Sequence, residues 1–108
     1  MKLTIIRWPR VDRDLAEHFY FIARDKVEPA ERLLTVAEAS FERLANNPGI
    51  GMVWPSKRPQ HQGLRLYPMS APYRNYIIIY RMIGERLEVI TVLHGARDLE
   101  NVASDILD

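Results

Sequence analysis

The sequence predicts an α+β fold in which an N-terminal strand and a hairpin of two helices pack on an antiparallel β-sheet. Apolar residues recur at helical spacing through two segments in the first half of the chain. In the second half, two runs rich in β-branched and aromatic residues flank Gly84-Glu85. A glycine at the first position of a two-residue turn supplies the positive φ of a tight hairpin. At 108 residues the chain is expected to form one domain, residues 1–108.

The predicted elements follow from apolar spacing and from the positions of Pro and Gly. A short strand is predicted at residues 3–6, and the first helix at roughly 11–25. The second helix begins near Pro29, which suits a first helical turn, and ends at the Asn-Asn-Pro-Gly of residues 46–49. Residues 48–63 are predicted to be loop. Strands follow at 64–67, 74–83 and 86–94, and a short C-terminal helix or tail at 98–107 has Asp98 as its N-cap.

The turn at residues 84–85 sets the pairing of the two hairpin strands. It places Arg81 opposite Glu88, and the same register continued places Asn75 opposite His94. Both faces of this hairpin are apolar in the middle, so the sheet needs cover on both sides. The helical hairpin covers one face, and so small a chain has little left for the other. We therefore expect a partner protein on the second face.

Composition excludes several kinds of chemistry. The chain has no cysteine, which excludes disulfides, zinc-thiolate sites and cysteine nucleophiles and suits a cytoplasmic location. No segment approaches the length of a membrane span, so no membrane association is expected. His18 and Asp14 are one helical turn apart, but two ligands do not make a metal site. No metal and no cofactor are predicted, and His61 is expected to be solvated in the loop.

The net charge of +1 conceals an uneven distribution. Residues 43–84 contain no carboxylate, whereas the last eleven residues carry four acids and no Lys or Arg. A basic, acid-free segment indicates a surface for a polyanion or an acidic protein partner, although solubilising loop charges would give the same pattern. The cations of this segment are Arg43, Lys57, Arg58, Arg65, Arg74 and Arg81.

The order and spacing of several short motifs resemble the RelE/ParE toxin superfamily over nearly the whole chain. The Leu-His-Gly-Ala-Arg-Asp ending at residues 93–98 is similar to its ParE branch in particular. The other matching segments are residues 9–15, 29–33, 44–51, 64–66 and 75–81. The resemblance implies the toxin half of a type II toxin–antitoxin module, forming a hetero-oligomer with a cognate antitoxin. ParE-like members poison DNA gyrase, and RelE-like members cleave mRNA on the ribosome.

Three readings of the function remain open at this point. A ParE-like, non-catalytic gyrase inhibitor is favoured, because no Tyr, His, Lys or Arg follows Arg97 and an acidic terminus would repel an RNA backbone. The first alternative is a metal-independent endoribonuclease of the RelE kind, with a base or acid and cations around the scissile phosphate. Its candidate residues would be His94, Arg65, Arg81 and Arg97. The second alternative is an inactive family member that only binds an antitoxin.

Each candidate residue also has a structural interpretation. His94 could bond to Asn75 or a loop carbonyl, and Arg81 could form a cross-strand pair with Glu88. The predicted target-binding residues are Lys57, Arg58, Arg65, Arg74, Arg81, His94 and Arg97. The predicted antitoxin-binding residues are Tyr20 and Phe21, since aromatic residues on the outer side of a charged helix can anchor a partner segment. Alternatively, these two side chains pack internally.

Overall fold

The computed structural model describes residues 2–95, and its architecture confirms the predicted α+β class. Two helices cover one face of a five-stranded sheet. The elements, in chain order, are β1 (Thr4–Arg7), α1 (Pro9–Ala23), α2 (Val27–Asn46), β2 (Met52–Val53), β3 (Arg65–Pro68), β4 (Tyr76–Ile83) and β5 (Arg86–His94). The predicted C-terminal helix at 98–107, with its cap Asp98, and the candidate Arg97 lie outside the described residues.

The two helices begin earlier than the sequence pattern indicated. Trp8 is extended and Pro9 occupies the start of α1, where the N–H that proline lacks would have no helical partner. α2 begins at Val27, so the break between the helices is residues 24–26 rather than 26–28. This short link makes α1 and α2 packed neighbours, as expected for a helical hairpin.

The sheet is mixed rather than purely antiparallel. Its strand order is β1-β5-β4-β3-β2, and β1 runs parallel to β5 while every other pair is antiparallel. The predicted loop at 48–63 contains an additional strand, β2, and a 3₁₀ turn at Pro59–His61. β2 has only two residues, which is too short to show the alternation by which strands are recognised in a sequence.

The β4–β5 hairpin follows the predicted register near its turn and departs from it further on. Gly84 has a φ of 57°, and Arg81 lies opposite Glu88, as predicted. The register then shifts by one residue, with Ile90 as the additional residue of β5, so that His94 lies opposite Tyr76 and not Asn75. Such a bulge lets two residues of one strand oppose one residue of its partner.

The middle of each face of the sheet is covered by the chain itself. The main core lies between the sheet and the helices, and it contains Phe41, Ile78 and Tyr80. On the opposite face, Trp54 and Leu64 pack against the centre of the hairpin, where Ile77, Ile79 and Ile90 are buried. The expectation that a partner protein must cover the middle of this face is therefore wrong. The loop after α2 supplies that cover, although its Pro and Gly content gave no sign of a packing role.

Candidate functional site

Arg81 is held on the face of the sheet opposite the helices. Its Nε donates to Glu88 Oε1 at 3.0 Å, and its guanidinium lies 5.6 Å from the Trp8 ring centre. The Trp8 indole N–H donates to the same carboxylate oxygen at 3.2 Å. Burial acts to raise the pKa of Glu88, but the hydrogen bonds from Arg81 and Trp8 and the charge of Arg81 outweigh it, so this pKa is lowered. Arg81 therefore makes the predicted cross-strand pair.

Arg65 holds the chain that leads into β2. Its Nη1 donates to the carbonyl of Gly51 at 2.8 Å and to that of Gly49 at 3.3 Å. The buried Tyr80 anchors the same segment, because its hydroxyl donates to the Pro48 carbonyl at 2.7 Å and accepts from the Gly51 N–H at 2.9 Å. Burial raises the pKa of Tyr80, so its hydroxyl keeps the proton that this hydrogen bond needs.

These two arginines face opposite sides of the sheet. Arg65 is paired in register with Tyr80, whose side chain belongs to the core under the helices. Arg81 follows Tyr80 in the same strand, and successive side chains in a strand point to opposite faces. The structure therefore does not combine Arg65 and Arg81 into one basic surface.

His94 lies at the far end of the hairpin. It is exposed, and its ring centre lies 4.9 Å from that of Tyr76 and 6.4 Å from that of His18. The contact with Tyr76 replaces the predicted bond to Asn75 or a loop carbonyl. His18 is itself fixed, since its Nε2 donates to the Val92 carbonyl at 2.8 Å.

The remaining described target-binding candidates are exposed. Lys57 and Arg58 lie in the loop between β2 and β3, and Arg74 lies between β3 and β4. His61, in the loop between β2 and β3, was predicted to be solvated, but the structure buries it, and the residue is only 2% exposed. Its Nδ1 pairs with Ser56 Oγ at 2.8 Å and its ring packs on Trp54. Local sequence shows a polar loop and gives no sign of the Trp54 contact that buries this ring.

Tyr20 and Phe21 are exposed, at 69% and 66%, so the packed alternative does not hold for these side chains. Adjacent helical residues point about 100° apart, and the two rings border different depressions. Tyr20 borders a groove of about 410 Å³ between α1 and α2. Phe21 borders a cleft of about 400 Å³ beside His18 and His94. The groove residues are Arg7, Asp12, Leu15, Ala16, Phe19, Tyr20, Leu34 and Glu38.

Arg7 bridges the two helices at the edge of this groove. Its Nη2 contacts Asp12 Oδ1 on α1 at 2.7 Å, its Nη1 pairs with Glu38 on α2, and its guanidinium lies 5.1 Å from the centre of the Phe41 ring. Burial opposes its charge, but the pairs with Glu38 and Asp12 outweigh this effect and raise the pKa of Arg7.

Sequence reasoning missed a buried carboxylate on α1. Asp14 is 9% exposed, accepts hydrogen bonds from the Thr91 hydroxyl and the Val92 N–H, and lies 3.4 Å from Arg10 Nε. The available signal was its position between Val11 and Leu15 on the apolar face of the helix.

Within residues 2–95, no three His, Asp or Glu side chains are arranged to hold a metal ion. Neither helix in that range combines the length and apolarity needed to cross a membrane.

Comparison with known proteins identifies the family. The model for the ParE toxin of the type II toxin–antitoxin system, parDE, matches residues 5–99. Among solved structures, the chain is similar to a chromosomal ParDE toxin–antitoxin system from P. aeruginosa. The TM-score is 0.69 at 14% sequence identity, and the match covers 87% of this chain and 97% of that one. At this identity the likeness shows the fold alone, and none of the curated proteins matches the sequence. Because the family model spans most of the chain, this protein belongs to the ParE toxins of type II toxin–antitoxin systems.

Proposed function

We propose that this chain inhibits DNA gyrase without cleaving nucleic acid, and that a cognate antitoxin neutralises it by packing against the helical hairpin in the cytoplasm. Membership of the ParE family supports the toxin role and implies an antitoxin partner. The gyrase target rests on the ParE-like ending of the sequence and on the arrangement of the cations. The exposed candidates for target contact are Lys57, Arg58, Arg74 and His94.

The distance between the candidate nuclease residues is the observation that favours an inhibitor over a nuclease. Cleavage of RNA needs a base or acid and cations around one phosphate. His94 is opposite Tyr76, five residues from Arg81 along β4, which at about 3.3 Å per residue is about 16 Å. Arg65 and Arg81 face opposite sides of the sheet and bind groups of the protein itself. The three described nuclease candidates, His94, Arg65 and Arg81, are therefore not gathered around one phosphate, which supports the inhibitor over the nuclease.

The groove beside Tyr20 supports the proposed mode of neutralisation. It combines a half-buried apolar floor of Phe19 and Leu34 with an exposed aromatic rim, which is the surface that an amphipathic helix recognises. β1 offers a second contact for the same partner. It is an edge strand of four residues, so an extended segment of the antitoxin can pair with its open side.

Expression in a bacterial host tests the proposal. The chain alone is expected to arrest growth, induce the DNA-damage response and produce filaments, and co-expression of the short chain encoded beside it is expected to restore growth. Cleavage of mRNA at the ribosomal A site with normal gyrase supercoiling would favour the RelE-like alternative. Normal growth with retained antitoxin binding would favour the inactive alternative.

A further inference from the structure

The groove between α1 and α2 has a carboxylate on each side. Asp12 stands on α1 and Glu38 on α2, and their side chains are 74% and 59% exposed. Between them lies the apolar floor, which includes Leu15, Phe19 and Leu34. A partner that enters this groove therefore meets apolar surface at the bottom and negative charge at both rims.

Arg7 satisfies only part of this negative charge. One guanidinium nitrogen reaches Asp12 Oδ1 and another reaches Glu38 Oε1, so the three side chains together carry a net charge of −1. Within residues 2–95, the second oxygen of each carboxylate accepts no hydrogen bond. Arg7 cannot turn to serve them, because its guanidinium is stacked on Phe41 and its side chain is only 28% exposed.

These contacts limit what can fill the groove. A purely apolar helix would cover two carboxylates whose outer oxygens have lost water and gained no partner, which is costly. An acidic residue at the same place would be repelled. A Lys or Arg that reaches the rims would pair with both carboxylates and neutralise the remaining charge.

We infer that the groove takes an amphipathic helix that carries a basic side chain beside its apolar anchors, with Asp12 and Glu38 as the residues that select it. This inference rests on the proposed function, since it names the antitoxin as the source of that helix. The apolar anchors supply most of the affinity, whereas the carboxylates discriminate between helices of similar shape.

Calorimetric titration of the full chain with the polypeptide encoded beside it tests the inference. The variant D12N/E38Q keeps the shape of both side chains and an oxygen for each bond to Arg7, but it removes the negative charge. Its affinity is expected to fall by at least about tenfold. The salt dependence of binding is also expected to weaken between about 0.1 M and about 1 M ionic strength, where the Debye length falls from about 10 Å to about 3 Å.

Two further variants separate this inference from the proposed function. E28Q removes an exposed carboxylate from α2, the helix that carries Glu38. Glu28 pairs with Arg32 outside the groove, so this variant should bind the antitoxin like the wild type. Y20A removes an aromatic contact without changing charge and should weaken binding equally at both salt concentrations. Unchanged affinity in D12N/E38Q with weakened binding in Y20A would overturn the charge selection alone. Unchanged affinity in both variants, or no binding by the wild type, would overturn the docking site as well.

Discussion

The carboxylate of Asp14 on α1 accepts a hydrogen bond from the backbone N–H of Val92 at 3.2 Å, across 78 positions of the sequence. The backbone carbonyl of Val92 accepts a hydrogen bond from His18, which lies one turn after Asp14 on α1. Within residues 2–95, β1 pairs with β5 only as far as Val89, and no other strand pairs with that edge of β5 at Val92. Two side chains of α1 take the place of a strand there and hold the bulge that positions His94.

Removal of the Asp14 carboxylate should destabilise the fold. We expect D14A to lower the free energy of unfolding by about 2–4 kcal/mol, because the Thr91 hydroxyl and the Val92 N–H would be buried without a partner. D14N retains one acceptor oxygen and should lose less. Urea denaturation measures both variants, and a loss below about 0.5 kcal/mol in D14A would show that the bulge does not depend on this contact.

Two glycines in one loop provide a matched test of the Tyr80 anchor. A Cβ on Gly51 would lie within 3 Å of the Tyr80 ring and of the Leu66 carbonyl, whereas a Cβ on Gly49 would meet no atom within 4 Å. G51A is therefore expected to cost about 1–3 kcal/mol of stability and G49A almost nothing. Equal melting temperatures for the two variants would contradict the close packing of Gly51 against Tyr80.

The Glu88 cluster should make stability depend on pH. The folded-state pKa of Glu88 is lowered, so its contribution is complete above the unfolded pKa of about 4.3 and is lost as the pH falls through the folded value. E88Q should therefore be less stable than the wild type at neutral pH and approach it in acid. Chemical denaturation across this range measures the difference, and a constant difference down to about pH 2 would remove Glu88 from the pH dependence.

The exposed cations, rather than Arg65 and Arg81, should tolerate charge reversal. K57E/R74E is expected to reduce gyrase inhibition by at least about tenfold with an unchanged melting temperature, because both side chains are exposed. R65E/R81E should instead lose stability, since it breaks bonds to the Gly51 carbonyl and to Glu88. R32E, a reversal on α2, serves as the control. Full inhibition by K57E/R74E would place the target surface elsewhere.

Much of the fold could be predicted from the sequence because it depends on local patterns. The apolar stripes of the helices and the glycine at the turn act over a few residues, and they correctly predicted the helical hairpin and the β4–β5 strands. The parallel pairing of β1 and the bulge at Ile90 depend on contacts between distant residues, and local patterns do not reveal them. The far-face cover by Trp54 and the buried His61 escaped prediction for the same reason.

The candidate site shows the same limit more strongly. Residues 43–84 contain cations and no carboxylate, which the sequence shows directly. Whether these cations share one surface depends on the fold, and alternation along β4 places Tyr80 and Arg81 on opposite faces. Charge along the chain therefore does not give charge on a surface. Tyr20 and Phe21 are exposed, which excludes internal packing of these side chains and leaves their role as antitoxin anchors a prediction. The position of Glu38 beside the groove depends on how the two helices pack, so the local sequence does not reveal it.

A supercoiling assay with purified gyrase, run beside an assay of mRNA cleavage on translating ribosomes, tests the central claim most directly. The purified toxin is expected to block supercoiling and to stabilise cleaved DNA–gyrase complexes while leaving the mRNA intact. Addition of the antitoxin should restore supercoiling. Cleavage of mRNA by a toxin that leaves gyrase fully active would contradict the account.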